Sequence, residues 1–299
     1  MRREYWFLTL MALLVSSLIL GGCGRPAVDG AAAAGSVVTL QNKGSDTIVN
    51  LALAWAEAYQ EVNPQVRIAV TGGGSGTGLT ALINGTVDIA NASRRIKEEE
   101  LAAARANHIE PQELVIARDA IAVVVHPSNP VDHLTLQQIS DIYSGKITNW
   151  REVGGEDRPI VLLSRETNSG THVYFLEEVI RLGQKDNKTL FSPDTLLLPS
   201  SEGIGAEVRQ NPNAIGYDGL GYVTPDMKTL EVGLTLDGPF WPPTAATVNA
   251  GQYPIARDLY MYSRAGAPQA VTTYLEWVLS PEAQNIVLEL GFVPIAATE

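Results

Sequence analysis

The stretch Val37-Val38-Thr39-Leu40-Gln41-Asn42-Lys43-Gly44-Ser45-Asp46-Thr47-Ile48 changes its periodicity part-way through, and that change decides the fold. Residues 37–40 form a β-type run. Gly44-Ser45-Asp46-Thr47 supplies turn and helix-start chemistry. Ile48, Leu51, Ala52, Trp55, Ala58, Tyr59 and Val62 then recur at three- and four-residue spacing. Apolar residues at that spacing line one face of a helix. The unit is therefore predicted as a strand, a capped turn and an amphipathic helix.

The same alternation continues outward. Residues 66–70 read as a second strand, followed by Thr71-Gly72-Gly73-Gly74-Ser75-Gly76-Thr77-Gly78 and a short helix through Leu79, Leu82 and Ile83. A third strand at 87–90 and a charged surface helix at 97–106 complete a βαβαβ pattern. Such punctuation calls for a parallel sheet with helices on its faces. A second unit of the same type starts at Ile121-Ala122-Val123-Val124-Val125-His126-Pro127, an apolar run of the kind buried strands show. It continues with a helix at Leu136–Tyr143, a strand at 159–163, a helix after Ser169, a strand at Leu196–Leu198, a helix at 201–209 and a strand at 214–217. Residues 233–251, rich in Pro, Gly and Thr, read as a long connection.

Two runs share a tetrapeptide: Ile116-Ala117-Arg118-Asp119 and Ile255-Ala256-Arg257-Asp258, each leading into an apolar strand. Nothing else around them repeats. They are expected to be adjacent strands that cross between two lobes. The tail, 268–290, is two helical segments broken at Ser280-Pro281, expected to pack on the first lobe. The expected fold is α/β, with lobe I formed by 37–117 plus 254–299 and lobe II by 118–253.

The amino terminus reads as an export signal. Arg2 and Arg3 precede an uncharged run from Tyr5 to Leu20 that ends in Leu20-Gly21-Gly22-Cys23. A basic start, an apolar stretch and small residues before a cleavage point are the marks of such a segment. Leu-Gly-Gly-Cys resembles a bacterial lipobox, which implies a signal peptide at 1–22 and a lipid-bearing, palmitate-type Cys23. Residues 23–36, small and without hydrophobic periodicity, read as a flexible tether. The expected location is outside the cytoplasm, lipid-anchored on the outer face of the cell membrane.

Composition narrows the function. The 299 residues carry 21 Lys+Arg against 33 Asp+Glu, a net charge of −12, and a single Cys. Phosphate backbones select basic surfaces, so a nucleic-acid partner is not expected. One Cys excludes a disulfide framework within the chain, and the four His are scattered without ligand spacing, so neither a metal nor another cofactor is called for. A monomer is expected.

Three segments set hydroxyl residues and glycine at a predicted helix start: Gly44-Ser45-Asp46-Thr47, Gly74-Ser75-Gly76-Thr77-Gly78 and Asn168-Ser169-Gly170-Thr171. Helix starts present unpaired N–H groups and partial positive charge, so each is a potential anion site, although Ser and Thr are also ordinary caps. Arg165, four residues before Ser169, can add a bidentate contact to an oxyanion. Its plainer alternative is a pair with Glu166 or Asp218. Ser93-Arg94-Arg95 could add a hydroxyl and a cation at the same edge.

These segments, together with Ala92-Ser93-Arg94, Ile142-Tyr143-Ser144-Gly145-Lys146-Ile147-Thr148-Asn149-Trp150 and Arg165-Glu166-Thr167-Asn168-Ser169-Gly170-Thr171, resemble the PstS family, the phosphate-binding proteins of bacterial phosphate ABC transporters. The resemblance runs in order along the chain from residue 23 onward. It implies a two-lobed type II periplasmic-binding-protein fold with two crossing hinge strands. It also implies capture of inorganic phosphate between the lobes and delivery to an ABC permease. By motif position the implied phosphate contacts are Thr47, the Ile48 backbone, Ser75, Ser93, Arg165, Ser169, Gly170 and Thr171. Ser45, Asp46, Gly76, Thr77 and Arg94 stand close by in sequence. One departure is Arg94, where some members of the family carry an Asp that accepts the proton of phosphate and so rejects sulfate. Selectivity then calls for another acceptor, with Asp46 the first candidate.

Enzyme readings find little support. The Gly-rich loop lacks the Gly-Lys-Ser/Thr ending of a nucleotide loop, and no Gly-x-Ser-x-Gly elbow is present. Ser169 and His172 suggest a nucleophile and base, but His172 reads more simply as a packing residue. The expectation is a binding protein, not an enzyme. The alternatives are a phosphate-ester phosphatase on the same fold and a receptor for another tetrahedral oxyanion.

Overall fold

The structure is a computed structural model that describes residues 37–295; the leader, Cys23 and the tether lie outside the described residues. Strand β1 (Val38–Gly44) lies between β2 (Val66–Thr71) and β3 (Ile89–Ala92) and is parallel to both. Helix α1 (Asp46–Val62) follows β1 and buries Ile48, Leu51, Ala52, Trp55 and Tyr59, the face that the apolar spacing predicts. After β2 comes α2 (Ser75–Ile83), and after β3 comes α3 (Glu98–Ala106). The latter opens on Glu98, Glu99 and Glu100 and closes on Arg105, an order that suits the helix dipole.

Strand β4 (Pro111–Val125) is longer than the apolar run that announces it and starts ten residues earlier. Its first half exposes Gln112 and Glu113, and this hides the strand from a reading based on hydrophobicity. From Pro111 to Ala120 it pairs antiparallel with β12 (Ala256–Arg264), and from Ile121 onward with β8 (Ala214–Gly219). The two shared tetrapeptides therefore lie side by side and run in opposite directions. Arg257 is in register with Asp119, and Asp258 with Arg118. One Arg–Asp pair is buried and the other exposed, Arg118 Nε lying 3.6 Å from Asp258 Oδ1.

Beyond β4, a short strand β5 (His133–Thr135) precedes α4 (Leu136–Tyr143), which Thr135 and Gln138 cap reciprocally. Then come β6 (Val161–Arg165) and α5 (Gly170–Tyr174), which widens into a π-helical stretch at Phe175–Ile180. Next are β7 (Leu196–Leu198) and α6 (Ser201–Gln210). The main sheet runs β2-β1-β3-β12-β4-β8-β6-β7, with β9 (Lys228–Thr229) added beside β4.

The region expected as a plain connection at 233–251 is more structured than that. Strands β10 (Glu231–Gly233) and β11 (Phe240–Trp241) join β5 in a small second sheet, and α7 (Ala245–Asn249) follows. Thr244 caps α7 by accepting from Thr247 N–H. Elements of two to five residues surrounded by Pro and Gly leave too few periodic positions to be read from sequence.

Two large apolar cores flank the shared strands. One gathers residues such as Leu40, Ile48, Trp55, Ile89 and Ile116 with Leu259, Val271, Tyr274, Val287 and Phe292. The other gathers Ile121, Val123, Ile139, Tyr143, Trp150, Phe175, Ile215 and Tyr217. Ile255 and Val293, at positions assigned by sequence to lobe I, pack in this second core. The tail forms α8 (Gln269–Val278) and α9 (Pro281–Glu289), the latter capped by Ser280 with Pro281 at its first position. Trp55 Nε1–H donates to Ala283 O at 2.8 Å, fixing α9 on α1.

Candidate anion-binding site

The hydroxyl residues expected at helix starts come together from distant parts of the chain. Thr47, in the first turn of α1, places its Oγ1 2.8 Å from Thr171 Oγ1, in the first turn of α5. Ser75 opens α2 and accepts from Ser93 N–H at 3.0 Å; its Oγ lies 3.2 Å from Ser93 Oγ. Ser169 caps α5, its Oγ accepting from Thr171 N–H at 3.2 Å. Gly170 sits against the other two serines: a Cβ there would overlap the hydroxyls of both Ser75 and Ser93. Only glycine allows this approach.

Backbone contacts tie the same loops together. Gly76 N–H donates to Asn168 O at 3.1 Å, and Asn168 Nδ2–H donates to Gly73 O at 3.1 Å. Gly74 makes the turn with a φ of 88°, and a side chain there would strike Asn168 O. Ser45 N–H donates to Asn91 O, and Ile48 N–H to Ser45 O, which fixes the start of α1. Thr77 is half-buried beside Gly73.

Arg165 ends β6 and is 1% exposed. Its Nη2 donates to Asp46 Oδ2 at 2.8 Å and to Pro199 O at 2.9 Å, and its Nη1 to Ser201 Oγ at 2.8 Å. Neither plain partner considered from sequence is a direct one: Asp218 is reached only through the Ser201 hydroxyl, which donates to Asp218 Oδ1 at 2.8 Å. The other oxygen of Asp46, Oδ1, accepts from Gly73 N–H at 2.9 Å. With a donor on each oxygen, Asp46 is a clamp between α1, the Gly-rich loop and Arg165.

Arg94 is drawn elsewhere. Its two Nη groups donate to the two carboxylate oxygens of Glu100, each at 2.8 Å. Burial pushes the Glu100 carboxyl up, but hydrogen bonds from Arg94 and the Lys97 backbone outweigh it and hold the group below its usual range.

The cation that sequence reasoning left unassigned is Arg257. Its Nη2 donates to Thr171 Oγ1 at 2.9 Å and lies 3.4 Å from Thr47 Oγ1, while its Nη1 donates to Ser93 O at 3.0 Å. The same guanidinium pairs with Asp119, Nη2 to Oδ2 at 3.0 Å. Arg257 thus touches Thr47 and Thr171, from two of the three hydroxyl segments, and the carbonyl of Ser93, which is bonded to Ser75 of the third. The shared tetrapeptide was the signal that could have found it.

Residues suspected of other chemistry have packing roles. His172 Nδ1–H donates to Arg165 O at 2.9 Å, and its ring stacks on Phe191 at 4.5 Å between centroids. Burial lowers its pKa and keeps it neutral. Tyr217 stacks on Phe175 within the second core. Among the described residues, no group of His, Cys, Asp and Glu is arranged to hold a metal ion.

Comparison with known proteins places this arrangement in a family. The sequence model of the PBP superfamily domain matches residues 29–282. The phosphate-binding protein PstS of Pseudomonas aeruginosa is 32% identical over 89% of this chain and 85% of its own length. The chain belongs to the PstS family. The PstS of Bacillus subtilis is 31% identical, over 86% of this PstS-family chain and 81% of its own. A Clostridium perfringens protein, assigned as a phosphate ABC transporter substrate-binding protein and solved with bound phosphate, superposes with a TM-score of 0.77 at 32% identity. It covers 86% of this chain and 99% of its own. This PstS-family chain has the type II periplasmic-binding-protein fold that its motifs imply.

Proposed function

We propose that this chain is an extracytoplasmic solute receptor that captures inorganic phosphate between two lobes and delivers it to an ABC permease. The observation that carries this reading is the convergence of Thr47, Ser75 and Ser93 on Ser169, Gly170 and Thr171, with Arg165 and Arg257 alongside. Hydroxyls, backbone N–H groups and guanidinium groups are all donors, the set a small tetrahedral oxyanion requires. The net charge of −12 does not oppose this, because the local donors act on an ion at contact distance while the outer charge acts through screened solvent.

Strands β4 and β12 serve as the hinge. Lobe I, 37–117 plus 254–299, brings Thr47, Ser75 and Ser93; lobe II, 118–253, brings Arg165, Ser169, Gly170 and Thr171. Opening about the hinge parts the Thr47–Thr171 pair and exposes the donors; closing desolvates the ligand. Export, the lipid on Cys23 and the monomeric state complete the proposal, with the lipid holding the receptor near its permease.

The chain acts by binding and not by catalysis. Ser169 Oγ accepts from Thr171 N–H, and His172 Nδ1–H donates to Arg165 O, so each of the two side chains is engaged with the backbone, which supports the binding reading. Calorimetry of the purified chain with inorganic phosphate tests the proposal, and absence of binding heat and of competition by phosphate would sink it. Sustained turnover of a phosphomonoester, abolished by Ser169→Ala or Thr47→Ala, would replace it with the phosphatase reading.

A further inference from the structure

Asn168 is exposed, while Ser169, Gly170 and Thr171, which follow it, are buried, as is Ser75. It therefore stands where the hydroxyl cluster meets solvent. Asn168 holds the Gly-rich loop at two points: its Nδ2–H donates to Gly73 O and its main-chain O accepts from Gly76 N–H, each at 3.1 Å. Gly74, between those points, packs on the same carbonyl so closely that a Cβ there would stand 2.8 Å from it. The Gly73 peptide is held from its other side as well. Its N–H donates to Asp46 Oδ1 at 2.9 Å, and Asp46 Oδ2 accepts from Arg165 Nη2 at 2.8 Å. The bonds close a ring, from Arg165 to Asp46, from Asp46 to Gly73, and from Gly73 back to Asn168, three residues after Arg165. This ring crosses twice between the two lobes of the proposed hinge.

We infer that Asn168 is the clasp of the site: a positioning residue that keeps the lobes shut over a bound oxyanion and sets how fast the ion leaves. The inference rests on the phosphate reading above and adds to it the residue that governs release. Other links between the lobes lie deeper. Thr47, Thr171 and Arg165 are each at most 1% exposed. Toward the hinge, Arg257 of β12 is buried, and Tyr174 packs under its guanidinium at 5.6 Å while its OH donates to Ala256 O at 2.7 Å. Hinge strands bend without parting, so release begins among the links outside them. The bonds of Asn168 are the solvent-facing members of that set, and exposed hydrogen bonds open at lower cost than buried ones, which makes Asn168 the first link to yield.

The bond from Asn168 Nδ2 to Gly73 O joins the two lobes, so it is made when they are closed and lost when they part. Removing it raises the free energy of the closed state and leaves the open state as it was. An ion that lands in the open cleft does not use the bond, so the change falls on dissociation and not on association. The main-chain bond from Gly76 N–H survives any side-chain substitution at position 168, which limits the effect to one neutral hydrogen bond, a change of about three- to tenfold in rate. Asn168→Asp keeps the shape of the side chain, removes the donor and sets a carboxylate against Gly73 O, so it should loosen the clasp further than Asn168→Ala does.

The test follows radiolabelled inorganic phosphate on the purified parent, Asn168→Ala and Asn168→Asp. Loss of bound label after addition of excess unlabelled phosphate gives the dissociation rate, and rapid mixing gives the association rate. Dissociation is expected to rise by about three- to tenfold in Asn168→Ala and by more in Asn168→Asp, with both association rates within about twofold of the parent. The split between the two rates is insensitive to a folding defect, because unfolded molecules lower the number of sites and leave the rates of the folded ones unchanged. Dissociation within about twofold of the parent in both variants overturns the inference. A loss carried by association overturns it too, because Asn168 would then belong to the surface on which the ion lands. A parent that retains no phosphate overturns the phosphate reading and the clasp together, whereas parent and variants that bind phosphate and release it at one rate overturn the role of Asn168 alone.

Discussion

Arg257 and Asp119 are 138 positions apart in sequence and meet as a buried ion pair on two antiparallel strands, Nη2 to Oδ2 at 3.0 Å. Leu220 N–H donates to the other oxygen of Asp119, and Arg257 reaches on to Thr47, Thr171 and Ser93. The pair therefore lies at the point where the strands shared by both cores meet the hydroxyl cluster. Register makes it possible: with the two Ile-Ala-Arg-Asp runs antiparallel, each Arg faces the Asp of the other.

Removing one partner of such a pair leaves the other charge buried and alone. Asp119→Ala is expected to lower the unfolding free energy by about 3–5 kcal/mol in urea titration. Combining Asp119→Leu with Arg257→Met should recover much of that loss while leaving phosphate binding weak, because the contacts of Arg257 with Thr47 and Thr171 go with it. Additive single and double losses would mean that the two side chains are not coupled.

Much of the arrangement was legible locally. The apolar spacing of Ile48, Leu51, Trp55 and Tyr59 gave α1, and the Ser/Thr/Gly junctions marked helix starts, because caps and amphipathic faces are written within a few residues. Arg257 and Ser201 were not legible as site residues, because their partners come from sheet register and from packing between remote segments. Asp46 was legible as near the site but not in its role, which depends on where Arg165 and the Gly73 N–H come to rest.

Arg165 makes three hydrogen bonds through its Nη groups, to Asp46 at the start of α1 and to Pro199 and Ser201 at the start of α6, and is nearly without solvent. Arg165→Ala should weaken phosphate binding on the order of a hundredfold, as expected for losing charge-assisted bonds, against about tenfold for Ser75→Ala. Calorimetry of both variants decides it. Equal affinities for Arg165→Ala and the parent would refute a role for Arg165 in holding the anion.

Gly170→Ala tests the close approach of α5 to the two serines. The added Cβ overpacks a buried contact, so the urea midpoint should fall by the equivalent of about 1–3 kcal/mol. The added methyl must push away the hydroxyls of Ser75 and Ser93, so phosphate affinity should fall at least about tenfold. A variant that is stable yet binds as tightly as the parent would show that Gly170 and the two serines do not close on the ligand together.

Asp218, 3% exposed near the end of β8, leaves a mark on the pH dependence of stability. Burial raises its pKa from 3.8 to about 6. The folded chain thus holds that proton more tightly than the unfolded chain does. The resulting contribution to stability is fully present below about pH 4 and is lost as pH rises through about 6, an effect on the order of 3 kcal/mol. Other carboxylates change in the opposite sense over the same range, so the informative quantity is the difference between parent and Asp218→Asn. The variant, which cannot titrate there, should gain stability relative to the parent as pH rises from about 4 to about 6, and the difference should then level off. Parallel stability–pH curves would mean that Asp218 keeps an ordinary carboxylate pKa in the fold, and that its carboxyl is better solvated than its burial indicates.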